Sequence, residues 1–253
     1  GFLGPTSAAG IPGRLEGLRA GLRELGYVEG KNRVIEFRWA EGNYDRLPVL
    51  AAELVRNNVD LIVTYATQGC LAAKQATTTI PIVMATVGDA IAAGLVTSLA
   101  RPGGNITGST VFSSELSAKR LELLKEAFPR TKRVAVLTNL ANELCTAPIL
   151  QAMTATAKSL KLDLKVFGVR SPNEFDSVFA AMSKQRVEAV AITDDVMLTA
   201  NADAAAGLAV KYRLPSIGGS EVAEAGCLIT YGVNFPALFR RAAAFVDKIL
   251  KGA

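Results

Sequence analysis

The chain has three cysteines, Cys70, Cys145 and Cys227, and no histidine. Without histidine no Ser-His-Asp triad can form, and without a CxxC spacing a zinc site lacks a ligand set. The enzyme chemistry that the cysteines allow is that of a cofactor-independent amino-acid racemase, in which paired thiols remove and return a proton on opposite faces of the substrate. Cys70 follows a predicted third strand and Cys227 opens a predicted last strand, so the two do not occupy equivalent loops, and Cys145 falls in a helical pattern. No basic residue is set to generate a thiolate, and burial as small hydrophobes accounts for all three better. Gly-x-Gly-x-x-Gly and P-loop patterns are absent, so a nucleotide has no phosphate cradle and no cofactor is expected.

Binding chemistry remains. Parallel α/β sheets place ligand contacts where strand carboxyl ends lead into helix N-termini. That rule selects Thr6 and Ser7 after the first predicted strand, Tyr65, Thr67 and Gln68 after the third, and Gly88 and Asp89 after the fourth. From the second half it selects Asn139, Asp194, Asp195, Ser220 and Glu221, with Tyr231 and Asn234 at a crossing. The set offers hydroxyls, amides and the carboxylates Asp89, Asp194, Asp195 and Glu221, with no Lys, Arg or His. A ligand carboxylate would then be held by hydroxyls and helix N-terminal N–H groups, for which Thr6-Ser7 and Thr67-Gln68 are suited. A ligand ammonium would go to the acids. A small zwitterion such as an amino acid fits, and a phosphorylated ligand fits poorly. Asp89, Glu221 and one of Asp194 and Asp195 fit equally well as helix caps or first-turn acids, and Tyr65 and Tyr231 as packing groups.

The elements that must position these residues are written twice. Lys31–Tyr65 reads strand, turn, helix, strand, and Lys161–Asp195 reads it again, with Glu41-Gly42-Asn43-Tyr44-Asp45 answered by Ser171-Pro172-Asn173-Glu174-Phe175-Asp176. A βαβαβ unit built twice predicts two Rossmann-like lobes with parallel sheets, a cleft between them and a hinge that closes on a ligand. The N-terminal lobe is expected over 1–110 plus 233–253 and the C-terminal lobe over 111–232. In the first, strands are predicted at Arg33–Ala40, Asp60–Thr64, Ile80–Ala85 and Asn105–Gly108, and helices at Tyr44–Asn57, Thr67–Thr78 and Ala90–Leu99. In the second, strands are predicted at Arg133–Thr138, Asp163–Val169, Ala189–Thr193, Ser216–Gly218 and Cys227–Tyr231, and helices include Glu115–Phe128, Leu144–Leu160, Asn173–Lys184 and Leu198–Tyr212. The last segment, Phe235–Leu250, is predicted to be a helix that packs back on the first lobe.

At 253 residues, 50% hydrophobic and 20% charged, the chain can support two cores. The net charge of +5 is scattered over polar helix faces and forms no block that would track phosphates, so nucleic acid is not an expected partner. No apolar run is long enough to span a membrane, and no signal peptide is visible. Gly1-Phe2-Leu3-Gly4 reads as the tail of a strand that has lost its beginning.

Three stretches carry a family resemblance: Arg33-Val34-Ile35-Glu36-Phe37-Arg38-Trp39-Ala40-Glu41-Gly42, Ser98-Leu99-Ala100-Arg101-Pro102-Gly103-Gly104-Asn105-Ile106-Thr107-Gly108, and Lys119-Arg120-Leu121-Glu122-Leu123-Leu124-Lys125-Glu126. With them the chain resembles the ABC-transporter substrate-binding proteins of the tryptophan/tyrosine-binding kind, over essentially its whole length. The resemblance implies a type I periplasmic binding fold and a non-enzymatic solute receptor of an ABC importer. It also implies a periplasmic or extracytoplasmic location, free or lipid-anchored, and delivery of a small-molecule ligand to a membrane permease. A monomer is expected. Tyr65-Ala66-Thr67-Gln68 stands where the family usually has a Gly-Gly-Thr-Pro type loop, and Asp194-Asp195-Val196-Met197 where it commonly has aromatic residues. These departures open the site to a smaller or more polar ligand than an aromatic amino acid. A ligand-sensing domain cut from a transcription regulator is the third class, distinguished by a DNA-reading module ahead of the first strand.

Overall fold

The structure is a computed structural model that describes residues 1–252, in two compact units. One comprises Gly1–Val111 and the segment that starts at Asn234; the other is Phe112–Val233.

Unit one contains β1 (Phe2–Gly4), α1 (Pro12–Glu24), β2 (Phe37–Trp39), α2 (Leu47–Arg56), β3 (Ile62–Tyr65), α3 (Ala66–Ala76), β4 (Ile82–Val87) and β5 (Ile106–Thr110). Its strands are all parallel, in the order β2-β1-β3-β4-β5. Unit two contains α4 (Ser113–Ala127), β6 (Arg133–Asn139), α5 (Glu143–Ser159), β7 (Asp163–Val169), α6 (Phe175–Lys184), β8 (Ala189–Ile192), α7 (Val196–Ala200), α8 (Ala202–Lys211), β9 (Ser216–Gly218), α9 (Ser220–Glu224) and β10 (Ile229–Thr230). Its sheet is also parallel, in the order β10-β9-β8-β6-β7. Read from the second strand of each, both sheets run second, first, third, fourth, fifth. The doubled α/β architecture expected from the sequence is therefore the observed one, and each sheet reverses direction of growth beside its first strand, where such folds bind ligands.

Strands covered by helices on both faces read as unbroken apolar runs rather than alternating ones. Ile62–Tyr65, Ile82–Val87 and Ala189–Ile192 are buried at every position for that reason. The helices bury one stripe each: Leu47, Leu50, Ala51 and Leu54 of α2 pack into the core of unit one with Ile62, Ile82 and Met84. α10 (Phe235–Leu250) packs on α1 through Phe235, Phe239, Ala242, Ala243 and Val246, and Tyr27 donates its hydroxyl to Asp247 Oδ1 at 3.0 Å.

Three local expectations need correction. Ala90–Leu99 is not a helix: Asp89 caps a single turn, Gly94 takes a φ of 65°, and the amides of Leu95 and Val96 both return to the Ala90 carbonyl. The strand predicted over 33–40 is only Phe37–Trp39, because β1 offers just Phe2, Leu3 and Gly4 to pair with it. The helix predicted over 198–212 is two helices that meet at Asn201, where the Asn201 amide nitrogen turns back to the Met197 carbonyl at 2.8 Å.

Candidate functional site

In unit one the carboxyl ends of β1, β3 and β4 carry the predicted residues. Thr6 is buried, and its hydroxyl shares a 2.6 Å hydrogen bond with the Tyr65 hydroxyl. Tyr65 has no exposed surface; its ring lies 6.1 Å from that of Phe2 and 5.4 Å from that of Phe239. It is a packing residue that fixes Thr6. The next residue, Ala66, has a φ of 57°, the left-handed region that L-residues adopt at a cost of about 1 to 2 kcal/mol. This bend brings Thr67 and Gln68 into the first turn of α3, whose N-terminus has no side-chain cap, so its leading N–H groups carry about half a positive charge. Ser7, Asp89 and Asn234 use their side-chain acceptors locally. Ser7 Oγ accepts from Gly10 N at 3.2 Å, Asp89 Oδ1 from Ile91 N and Ala92 N at 3.0 Å each, and Asn234 Oδ1 from Ala237 N at 2.9 Å. The Gly88 carbonyl accepts from the Thr110 hydroxyl at 3.3 Å.

In unit two the structure separates the two neighbouring aspartates. Asp195 caps α7: Oδ1 accepts from Met197 N at 2.8 Å and Leu198 N at 3.4 Å, and from Asn139 Nδ2 at 3.0 Å, while Oδ2 accepts from Asn142 Nδ2 at 2.8 Å. Asn139 in turn caps its own turn by accepting from Ala141 N at 2.9 Å. Asp194 is different. Its Oδ2 accepts from Arg120 Nη2 at 2.7 Å, and its Oδ1 is buried with no hydrogen-bond partner. Arg120 also donates Nε to the Tyr231 carbonyl at 2.7 Å, so Asp194 and Tyr231 are joined through a guanidinium that is 1% exposed. Ser220 and Glu221 open the short helix α9; the Ser220 hydroxyl donates to the Val233 carbonyl at 3.1 Å. Tyr231 itself is 40% exposed.

Arg120 and Asn142 were missed by sequence reasoning, which took the set to be without cations. For Arg120 a signal existed. It shares the buried stripe Ser117, Arg120, Leu121, Leu124 of α4, and a cation on an apolar face requires a partner inside. None of the three cysteines is in a disulfide; Cys70 is buried in the core of unit one and Cys227 in that of unit two, and burial raises the Cys227 thiol above its usual range. Among the described residues no cluster of His, Cys, Asp or Glu could hold a metal ion.

Two parallel sheets of one topology, with hydroxyls and an uncapped helix end in one unit and a buried acid in the other, define the type I periplasmic-binding class of small-molecule-binding folds. Solved structures agree. The ABC domain from Streptococcus pneumoniae in complex with L-Trp matches at 26% identity and a TM-score of 0.86, covering 100% of this chain and 85% of that one. A conserved domain protein from Vibrio cholerae matches at 26% identity and a TM-score of 0.90, covering 100% of this chain and 84% of that one. The Tyrosine-binding protein of Clostridioides difficile (strain R20291) is 26% identical over 238 residues, 94% of this chain and 68% of the relative. A family model described as ABC transporter substrate binding protein matches residues 6–253, and the chain belongs to that family.

Proposed function

We propose that this substrate-binding protein captures an amino acid or similar small zwitterion and passes it unaltered to a membrane permease. The relatives that bind L-Trp or are named for tyrosine support the ligand class. The division of labour at the end of β8 supports it most: Asp195 is consumed as a cap, while Asp194 keeps an oxygen unused. Thr6, Thr67, Gln68 and Gly88 are assigned to ligand binding in unit one, and Asp194, Ser220, Glu221 and Tyr231 in unit two. Tyr65, Ser7, Asp89, Asn139, Asp195 and Asn234 hold these loops in shape. Within unit one the N-terminus of α3 is suited to a carboxylate, and within unit two Asp194 is suited to an ammonium.

A micromolar ligand needs about 8 kcal/mol, which a few charge-assisted hydrogen bonds and one apolar wall supply after ordering costs. The protein acts without catalysis, outside the cytoplasm, free or lipid-anchored, and as a monomer. Thermal-shift screening against amino acids, aromatic acids and small amides tests the reading, with α-proton exchange measured on every hit. A stabilising amino acid without exchange is expected; no hit among the amino acids, or exchange at the α-carbon, refutes it. For a confirmed ligand, Thr67→Ala is expected to lower calorimetric affinity at least tenfold without unfolding the protein.

A further inference from the structure

Resting on that reading, one buried pair in unit two defines what the site selects. Arg120 projects from α4 and is 1% exposed; the Asp194 side chain is 7% exposed. Each guanidinium nitrogen has one partner, with Nη2 on Asp194 Oδ2 at 2.7 Å, Nε on the Tyr231 carbonyl at 2.7 Å and Nη1 near the Ile192 carbonyl at 3.5 Å. Arg120 therefore ties the ends of β8 and β10 to α4. The backbone fits closely around it. A Cβ on Gly219 would stand 2.6 Å from Asp194 Oδ1, and one on Gly232 would stand 3.0 Å from Arg120 Nη2.

Asp194 Oδ1 is then a charged acceptor, out of water, with no donor from the protein. Such an atom is costly unless a donor reaches it. We propose that Arg120 is a positioning residue that turns Asp194 so that Oδ1 accepts an N–H of the ligand ammonium, and that this contact selects amino acids over the matching acids without an amine. Arg120 keeps the local pair neutral and leaves recognition to one oxygen, whereas a lysine there would lack the planar guanidinium that spans Asp194 Oδ2 and the Tyr231 carbonyl.

The test is calorimetry with L-tryptophan, L-tyrosine and L-leucine, each against its deaminated counterpart: indole-3-propionate, 3-(4-hydroxyphenyl)propionate and 4-methylpentanoate. The native protein is expected to bind at least one amino acid tenfold or more tighter than its counterpart. Arg120→Lys and Asp194→Asn should each cut that ratio by about 10-fold or more while affinity for the deaminated acid changes little, because a charge-assisted hydrogen bond corresponds to roughly 10- to 100-fold. A merely structural role would weaken both ligands together and leave the ratio unmoved. An unchanged ratio in the folded Asp194→Asn protein, or equal binding of the paired ligands by the native protein, overturns the proposal while leaving the solute-receptor reading intact. Binding of none of the six by the native protein overturns both. Should Arg120→Lys fail to fold, Asp194→Asn decides alone.

Discussion

Asp195→Ala separates a structural acid from a ligand-binding one. The side chain is 6% exposed and accepts four hydrogen bonds, two from the first turn of α7 and two from Asn139 and Asn142. Loss of an N-cap costs about 1 kcal/mol, up to about 2. Loss of the hydrogen bonds to a buried carboxylate adds about 1.5 to 3 kcal/mol. Because the bonds share one carboxylate, their losses are not additive, and the expected total is about 3 kcal/mol. For a chain of this size that lowers the unfolding midpoint by about 6 to 12 °C in scanning calorimetry. Asp195→Asn supplies a graded control: its oxygen can still cap α7, but its amide nitrogen faces that of Asn142, donor to donor, at a cost of about 1 to 2 kcal/mol. The order native, Asn, Ala is therefore expected in stability. If Asp195→Ala shifts the midpoint by less than about 2 °C and instead abolishes ligand binding, the assignment of Asp195 as a cap is wrong.

Two further outcomes follow from local geometry. Ala66→Gly relieves the left-handed bend ahead of α3 and, despite the extra freedom glycine gives the unfolded chain, should stabilise by up to about 1 kcal/mol in urea denaturation; destabilisation would mean that the Ala66 methyl packs usefully. Glu188 is held below the usual carboxylate range chiefly by the amides of Lys132 and Arg133, which donate to Oε2 at 2.6 and 2.9 Å. A depressed folded pKa contributes stability that is full above the unfolded glutamate value of about 4.3 and is lost as pH falls through the folded value. Glu188→Gln should therefore destabilise at neutral pH by an amount that shrinks on acidification. A stability difference that stays constant down to strongly acid pH would contradict this cause.

The doubled sheet was legible because a parallel strand buried on both faces leaves a short apolar run, as in Ala189–Ile192, and because turn chemistry separated the runs. The strand over 163–169, the strand over 216–218 and the last helix over 235–250 coincide with their predicted bounds. Ala90–Leu99 misled because its composition is helical while its hydrogen bonds are set by Asp89 and Gly94, so a strong local stop overrode a weak periodicity. The candidate site was legible as a set of strand ends but not as a division of roles. Nothing in Asp194-Asp195 tells which one caps α7; that depends on Asn139 and Asn142, more than fifty residues earlier. Arg120 escaped because its partners, Asp194 and the Tyr231 carbonyl, are 74 and 111 residues away in the chain.

Unit two is one uninterrupted stretch, whereas unit one is interrupted and regains α10 only after unit two has been made. During synthesis the order of completion is thus fixed by the chain: the middle of the sequence can finish folding while the first 111 residues still lack the helix that covers α1. A nascent molecule stalled before Phe235 would leave Leu15, Leu18 and Leu22 without their covering helix, and that half would stay open to chaperones until the final segment emerges.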